Sequence, residues 1–233
     1  PITGDLSSYV QIYLASDKMG DELEVRFGTD GRNPITKIDF DNVIAKLKSL
    51  GFMSMGGETY RLAIQNEFLD RRSGRTKISP VRAEINSITS IQKYCRSNNI
   101  QPLVEAGDVS FVQKGSKQTP EGRLTPVDFN DFQFRLNYKE EKPLRSSFGL
   151  VKGIIASWED SRKIFRLIKR FSFQHTALPL KVDCSIVRSS SRQGRRLQPT
   201  HRIETSGVLT NPETYEIEIE VVKGQTHNHD PAS

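Results

Sequence analysis

Glu216-Ile217-Glu218-Ile219-Glu220, close to the end of a 233-residue chain, alternates carboxylates with branched aliphatics at a period of two. That period puts successive side chains on opposite faces of a β-strand. The pattern also occurs near the start, in Glu22-Leu23-Glu24-Val25-Arg26. Five glutamates therefore line two strand faces, with Leu23, Val25, Ile217 and Ile219 on the opposite, buried faces. Like charges gathered this closely repel, and they call for water or a cation to hold them.

The strands in between repeat the oddity with the other sign. Arg135, Asn137, Lys139 and Glu141 share one parity, as do Arg166 and Arg170, then Lys181, Asp183 and Ser185, and Arg82 with Glu84. Their neighbours of opposite parity include Phe134, Leu136, Tyr138, Leu167, Phe171, Val182 and Ile186, although Ile168 stands among the charges. One such strand is explained by a solvated outer face. Five or six of them, acidic at the chain ends and mostly basic between, point to an enclosed site. A sheet of about eight strands closed on itself has room inside for side chains or one small ligand. Charges lining such a space are unfavourable when dry, and become tolerable when acids hold a divalent metal and Arg and Lys pair with a phosphate chain. The ligand expected is a metal-bound polyphosphate.

The rest of the chain reads as mostly strand. A helix is expected over 6–18, and Gly28 to Gly31 form a turn cluster. Asp39 is expected to cap a helix carrying Phe40, Val43, Ile44 and Leu47, stopped by Gly51. Strands are expected over 60–69, 81–88, 109–114, 132–141, 163–173, 180–190, 202–208 and 215–222, with a short helix over 90–96. No βα alternation appears, which favours an antiparallel barrel or a sandwich. Residues 115–126 and the Ser/Arg-rich 188–196 read as mobile connectors. One domain over 1–222 is expected, followed by a flexible tail, 223–233, that contains His227 and His229.

Lys and Arg number 34 against 28 Asp and Glu, a formal charge of +6 that attracts polyanions such as phosphates or nucleic acid. Two cysteines, Cys95 and Cys184, are too few for a disulfide framework, so an intracellular compartment is expected. No apolar run is long enough to span a membrane and no signal-peptide pattern is present, so no membrane partner is expected. A chain beginning at Pro1 reads as a processed piece of a longer polypeptide.

From about Asp21 to Val222, the order of these motifs resembles the metal-dependent RNA 5′-triphosphatase domain of fungal and viral mRNA capping enzymes, within the triphosphate tunnel metalloenzymes. Glu22-x-Glu24 resembles the family's opening metal motif and Glu216-x-Glu218-x-Glu220 its closing one. Arg135-Leu-Asn137-Tyr-Lys139-Glu-Glu141-Lys-Pro143 resembles a strand that ends in a water-orienting glutamate. Arg166-x-Ile168-x-Arg170 resembles a basic strand usually written Arg-x-Lys-x-Arg, and Lys181-Val-Asp183-Cys-Ser185 the next, usually Arg-x-Asp-x-Thr. Ile168 in place of lysine leaves one phosphate contact absent or supplied elsewhere.

The resemblance implies an α+β, predominantly β fold: a closed antiparallel eight-stranded β-barrel, the triphosphate tunnel, buttressed by a few helices. It implies Mg²⁺ or Mn²⁺ on Glu22, Glu24, Glu216, Glu218 and Glu220. Arg135, Lys139, Arg166, Arg170 and Lys181 would align the phosphates, Asp183 would brace an arginine, and Glu141 would orient the attacking water. Arg82, Lys114 and Arg26 complete the expected phosphate contacts. The implied reaction removes the γ-phosphate of 5′-triphosphate RNA in the first step of mRNA capping. Linked or associated guanylyltransferase and methyltransferase domains would follow, and a viral member would work in the host cytoplasm, at the viral factory, or in the virion.

Other phosphate chemistries lack their residues. There is no Gly-x-x-x-x-Gly-Lys loop. Six residues after Cys95 and Cys184 stand Gln101 and Ser190, not the arginine of a cysteine phosphatase. Lys181-Val-Asp183-Cys184 lacks the glycine of a nucleotidyl-transferase motif. Two rivals remain: a tunnel phosphohydrolase for free tripolyphosphate or nucleotides, and a non-catalytic basic β-module that binds nucleic acid.

Overall fold

Eight antiparallel strands run through the chain: β1 (Asp21–Phe27), β2 (Thr59–Asp70), β3 (Val81–Ile85), β4 (Val109–Ser116), β5 (Phe134–Leu144), β6 (Lys163–Gln174), β7 (Leu180–Ser189) and β8 (Thr214–Val221). They pair in the order β6-β7-β8-β1-β5-β4-β3-β2. The ladder from Lys163↔Asn66 to Arg170↔Thr59 joins β6 back to β2 and closes the barrel. The structure, a computed structural model, describes residues 6–18, 20–28, 33–120, 122–194 and 196–222. Residues 29–31 of the expected turn, Arg195 in the Ser/Arg segment, and the tail with His227 and His229 lie outside the described residues.

Closure decides between barrel and sandwich, and it reverses the usual placing of the core. Leu23 and Val25 on β1, Leu136 and Tyr138 on β5, and Ile217 and Ile219 on β8 all face outward. The apolar clusters therefore lie on the outer wall, covered by helices. Tyr9 and Tyr13 of α1 (Leu6–Leu14) pack on Leu23, Leu136 and Tyr138. Phe40 and Leu47 of α2 (Lys37–Ser49) pack on Phe173, Val182, Cys184 and Ile217. The largest cluster joins Leu62, Ile64, Val81, Ile85, Phe111 and Phe165 to α3 (Ile88–Ser97), α4 (Gln101–Glu105) and α5 (Gly149–Ala156). The shorter α4 and α5 are absent from the sequence reading.

Two local expectations are corrected. The N-cap of α2 is Thr36, with Asp39 three residues inside. The Asp39 backbone N–H donates to Thr36 Oγ1 at 3.2 Å, and Thr36 N–H donates back to Asp39 Oδ2 at 2.9 Å, forming a capping box. Residues 202–208 form turns and bends, not a strand. Ile203 and Val208 are fully buried, but they stand five residues apart at opposite parities and do not share one strand face. Ser206 takes their backbone groups, donating from Oγ to Ile203 O at 2.6 Å and accepting from Val208 N at 3.1 Å, so no ladder forms.

Lys163 opens β6 and is only 1% exposed. Its ammonium donates to three backbone carbonyls, Trp158 O at 2.5 Å, Ser161 O at 2.5 Å and His201 O at 3.3 Å. Burial pulls its pKa down to about 8, against a weaker opposing pull from Asp160 and Glu159. The ammonium thus ties the loop before β6 to the loop before residues 202–208. Lys163→Met removes the ammonium donor from all three carbonyls, Trp158 O keeping only Ser161 Oγ at 3.3 Å, and is expected to cost about 2–4 kcal/mol in a urea unfolding experiment at unchanged m-value.

Candidate active site

Because strand parity alternates, the outward apolar residues force their neighbours inward, and the bore of the barrel is lined with charge. One cavity of about 230 Å³ is bordered by Glu22, Glu24 and Arg26 of β1, Glu216, Glu218 and Glu220 of β8, and Lys181 and Asp183 of β7. Arg166, Ile168 and Arg170 of β6, Lys139 and Glu141 of β5, Lys114 of β4, Arg82 of β3 and Arg61 of β2 complete the lining. Fourteen of the fifteen residues singled out from the sequence thus face one space. Arg135 does not: it lies at the β5 end and pairs with Asp128 through Nε at 2.6 Å and Nη2 at 2.9 Å. The short strand Val127–Phe129, paired with β5, supplies that aspartate and draws the guanidinium out of the lining.

The lumen charges pair in an ordered lattice. Lys114 contacts its register partner Glu141 and reaches Glu22 at 3.1 Å. Lys139 contacts Glu24, which also accepts from Asn137 Nδ2 at 3.3 Å. Arg166 Nη2 lies 2.7 and 2.8 Å from the two Glu216 oxygens, and Arg26 bridges Glu216 at 2.5 Å and Glu218 at 3.3 Å. Asp183 and Glu218 are register partners on β7 and β8, a repulsive placement that Arg170 resolves. Its Nη1 takes Asp183 at 2.8 Å and its Nη2 takes Glu218 at 3.2 Å. Lys181 sits between Glu220 at 2.9 Å and Asp183 at 3.3 Å.

Arg61 is the lining residue that sequence reasoning missed. It stands directly across the β2–β6 ladder from Ile168, which places a cation on the next strand level with the apolar position in β6. Its guanidinium lies 3.2 Å from Glu84 and donates through Nε to Asn86 Oδ1 at 3.0 Å. The only sequence signal was a lone arginine opposite Leu62 and Ile64, which reads equally well as a solvated face.

Burial and neighbours oppose each other across the bore. Burial alone would raise the Glu218 carboxyl, but Arg26, Arg170, Lys139 and Lys114 outweigh it and hold it below its ordinary value of 4.5. Burial pulls Lys114 below the usual lysine range, against Glu22 and helped by Arg82 and Lys139. Burial would also lower Arg26, yet Glu216, Glu218 and Glu24 carry it above its usual value. Cys184 lies fully buried on the outer wall, and burial raises its thiol to about 12, which disqualifies it as a nucleophile.

Among the described residues, no three acidic, cysteine or histidine groups converge in a ready-made metal cage, because each carboxylate here holds a cation. The donor set nonetheless suits a hard divalent ion. Glu24 and Glu220 are register partners on β1 and β8, and Glu22 and Glu218 follow two residues away on the same faces. All offer oxygen from rigid strands, as Mg²⁺ and Mn²⁺ prefer. Such an ion would be gained by exchange, as each carboxylate gave up its lysine or arginine.

No family model matches the chain, and no curated protein matches it either. Among solved structures, the chain is similar to the mimivirus capping enzyme triphosphatase, with a TM-score of 0.56 at 17% identity over 94% of this chain and 89% of that one. This likeness shows a shared fold. Weaker superpositions align it with the S. pombe Pct1 RNA triphosphatase, alone (TM-score 0.45, 13% identity, 95% of this chain and 80% of that one) and in complex with the Spt5 CTD (TM-score 0.44, 13% identity, 95% and 81%).

The depressed Glu218 carboxyl links stability to acidity. Its contribution is complete above the ordinary carboxylate value of 4.5 and is lost as the pH falls through the lower folded value. Urea unfolding across that range should show stability dropping on acidification, with a shallower drop in Glu218→Gln.

Proposed function

We propose that the chain is a metal-dependent RNA 5′-triphosphatase, releasing the γ-phosphate of 5′-triphosphate RNA as the first step of mRNA capping. The observation that carries this reading is the uneven distribution of charge around one closed bore: Glu22, Glu24, Glu216, Glu218 and Glu220 on β1 and β8, beside Arg26, and seven cations on β2 to β7, beside Glu141 and Asp183. A phosphate chain matches the cations, and a divalent ion matches the acids.

The reading assigns Mg²⁺ or Mn²⁺ to Glu22, Glu24, Glu218 and Glu220, with Glu216 next in the row. A bound ion there would withdraw charge from the γ-phosphoryl oxygens in the transition state. Arg166, Arg170, Lys181, Lys139, Arg82 and Arg61 surround the phosphate chain and hold it in line for attack. As phosphate oxygens take over Lys114, Glu141 loses that cation and becomes an acceptor for the attacking water. The small bore excludes bulk solvent, which strengthens each of these contacts. Shared fold with a capping-enzyme triphosphatase supports the substrate class. The diphosphate end left behind suits a guanylyltransferase, which this reading places on the same polypeptide or in association with it, inside the cell.

A nucleic-acid module working through surface arginines fits less well, since the arginines of the strand motifs, Arg135 excepted, point into the barrel. Hydrolysis of free tripolyphosphate would use the same lining, so the assay must include it. Release of phosphate from triphosphate-ended RNA, tripolyphosphate and ATP is to be measured with and without Mg²⁺ or Mn²⁺. The expected outcome is metal-dependent release from RNA, reduced about 10²–10⁴-fold in Glu24→Ala and about 10–100-fold in Arg61→Ala. Metal-independent release, or unchanged activity in Glu24→Ala, overturns the assignment; a preference for tripolyphosphate over RNA transfers it to the free polyphosphate.

A further inference from the structure

The bore opens differently at its two ends. At one end, where β1 finishes and β8 begins, Arg26, Arg166 and Glu216 also border a second cavity of about 510 Å³, continued by Ser189, Ser191, Arg192, Asn211 and Thr214. At the other, where β2 begins, Arg61, Ile168 and Arg170 border a cavity of about 210 Å³ with Thr59, Tyr60 and Asn86. Pockets that enclose organic ligands run to roughly 300–1,000 Å³. The first cavity falls within that span and the second falls short of it.

The walls differ as well. The larger cavity offers hydroxyls, an amide and an arginine, with Leu197 and Pro212 as apolar surface. These are the groups that take ribose hydroxyls, base edges and a base face. Its wall is also fixed in advance. Asn211 Nδ2 donates to Ser189 O at 2.9 Å and to Ser191 Oγ at 3.3 Å. Gly207 packs beneath them at φ +79°, where a Cβ would come within 2.5 Å of Ser191 Oγ and 2.8 Å of Asn211 Nδ2. Arg188 fastens the far side through Leu209 O at 3.1 Å and Glu213 at 2.9 Å. A prearranged wall lowers the ordering cost of binding.

Resting on the triphosphatase reading, we infer that RNA approaches from this end only. Its first nucleoside sits in the 510 Å³ cavity, its triphosphate passes Arg26 and Arg166 into the bore, and Arg192 faces the backbone of the strand as it leaves. The narrower opening is left for released phosphate. The bore therefore has a direction, and the cavity at its wide end selects a nucleoside-bearing triphosphate over the bare polyphosphate.

Photo-cross-linking of a 5′-triphosphate oligoribonucleotide with 6-thioguanosine at its first position, bound to the metal-free protein, tests the direction. Cross-links are expected in peptides spanning 189–197 and 211–214. In parallel, Arg192→Ala should raise KM for triphosphate RNA about tenfold, the loss of one charge-assisted contact, while kcat/KM for tripolyphosphate stays within about twofold. Cross-links at 59–61 and 86, or none while the wild type still releases γ-phosphate from RNA, overturn the nucleoside pocket and leave the triphosphatase reading standing. An equal loss on both substrates in Arg192→Ala overturns the selectivity. Absence of both cross-link and hydrolysis removes both readings.

Discussion

The structure depends on pairing charge inside a space too narrow to hydrate it freely. Among the described residues, eight cations (Arg26, Arg61, Arg82, Lys114, Lys139, Arg166, Arg170 and Lys181) face eight acids (Glu22, Glu24, Glu84, Glu141, Asp183, Glu216, Glu218 and Glu220). An unpaired charge there would bear a desolvation penalty of several kcal/mol, reduced by whatever water reaches it. Pairing removes most of that penalty without a ligand. Under the proposed function, a triphosphate or a divalent ion would bind by exchanging partners. Cations released by carboxylates would become available to phosphate, and the carboxylates to metal, so each ligand would prepare the site for the other.

The pairing is possible because the apolar work is done elsewhere. Leu23 and Leu136 point out of the barrel beneath α1, Val182 and Ile217 beneath α2, and Leu62, Ile64 and Phe165 beneath the α3–α5 group. A second device holds the end of the bore near α1. Asp21, buried beneath that helix, accepts from Lys117 Nζ at 2.7 Å and Tyr138 Oη at 2.7 Å, while Tyr13 Oη donates to Val221 O at 2.7 Å. One helix thereby ties together the ends of β1, β5 and β8, the strands that carry the acidic row and Glu141.

The period-two alternation made most of this legible. It separated lumen from wall on β1, β5, β6, β7 and β8, and it gave the fold once closure was assumed, because covered outer faces leave only the inside for the charges. It failed where side chains took over the role of a ladder. Residues 202–208 carry branched aliphatics as a strand does, but Ile203 and Val208 stand at opposite parities and Ser206 satisfies their backbone locally. Arg135 has lumen parity, but Asp128 on a short added strand draws it away. Arg61 escaped notice because a single arginine in an otherwise apolar strand carries no periodic signal, and its value comes from standing opposite Ile168, a relation of register between strands about a hundred residues apart.

The apolar Ile168 on β6, standing level with Arg61 on the adjoining strand, bears on how such a barrel could diversify. With the packing core outside, the lining is released from shape complementarity and answers to electroneutrality alone. Single replacements of lumen charges should be poorly tolerated, whereas reciprocal replacements on adjacent strands should pass, moving a guanidinium around the circumference at constant total charge. Descendants of one ancestor could then preserve catalysis while shuffling which strand bears which group, and pairwise sequence likeness would erode much faster than the architecture.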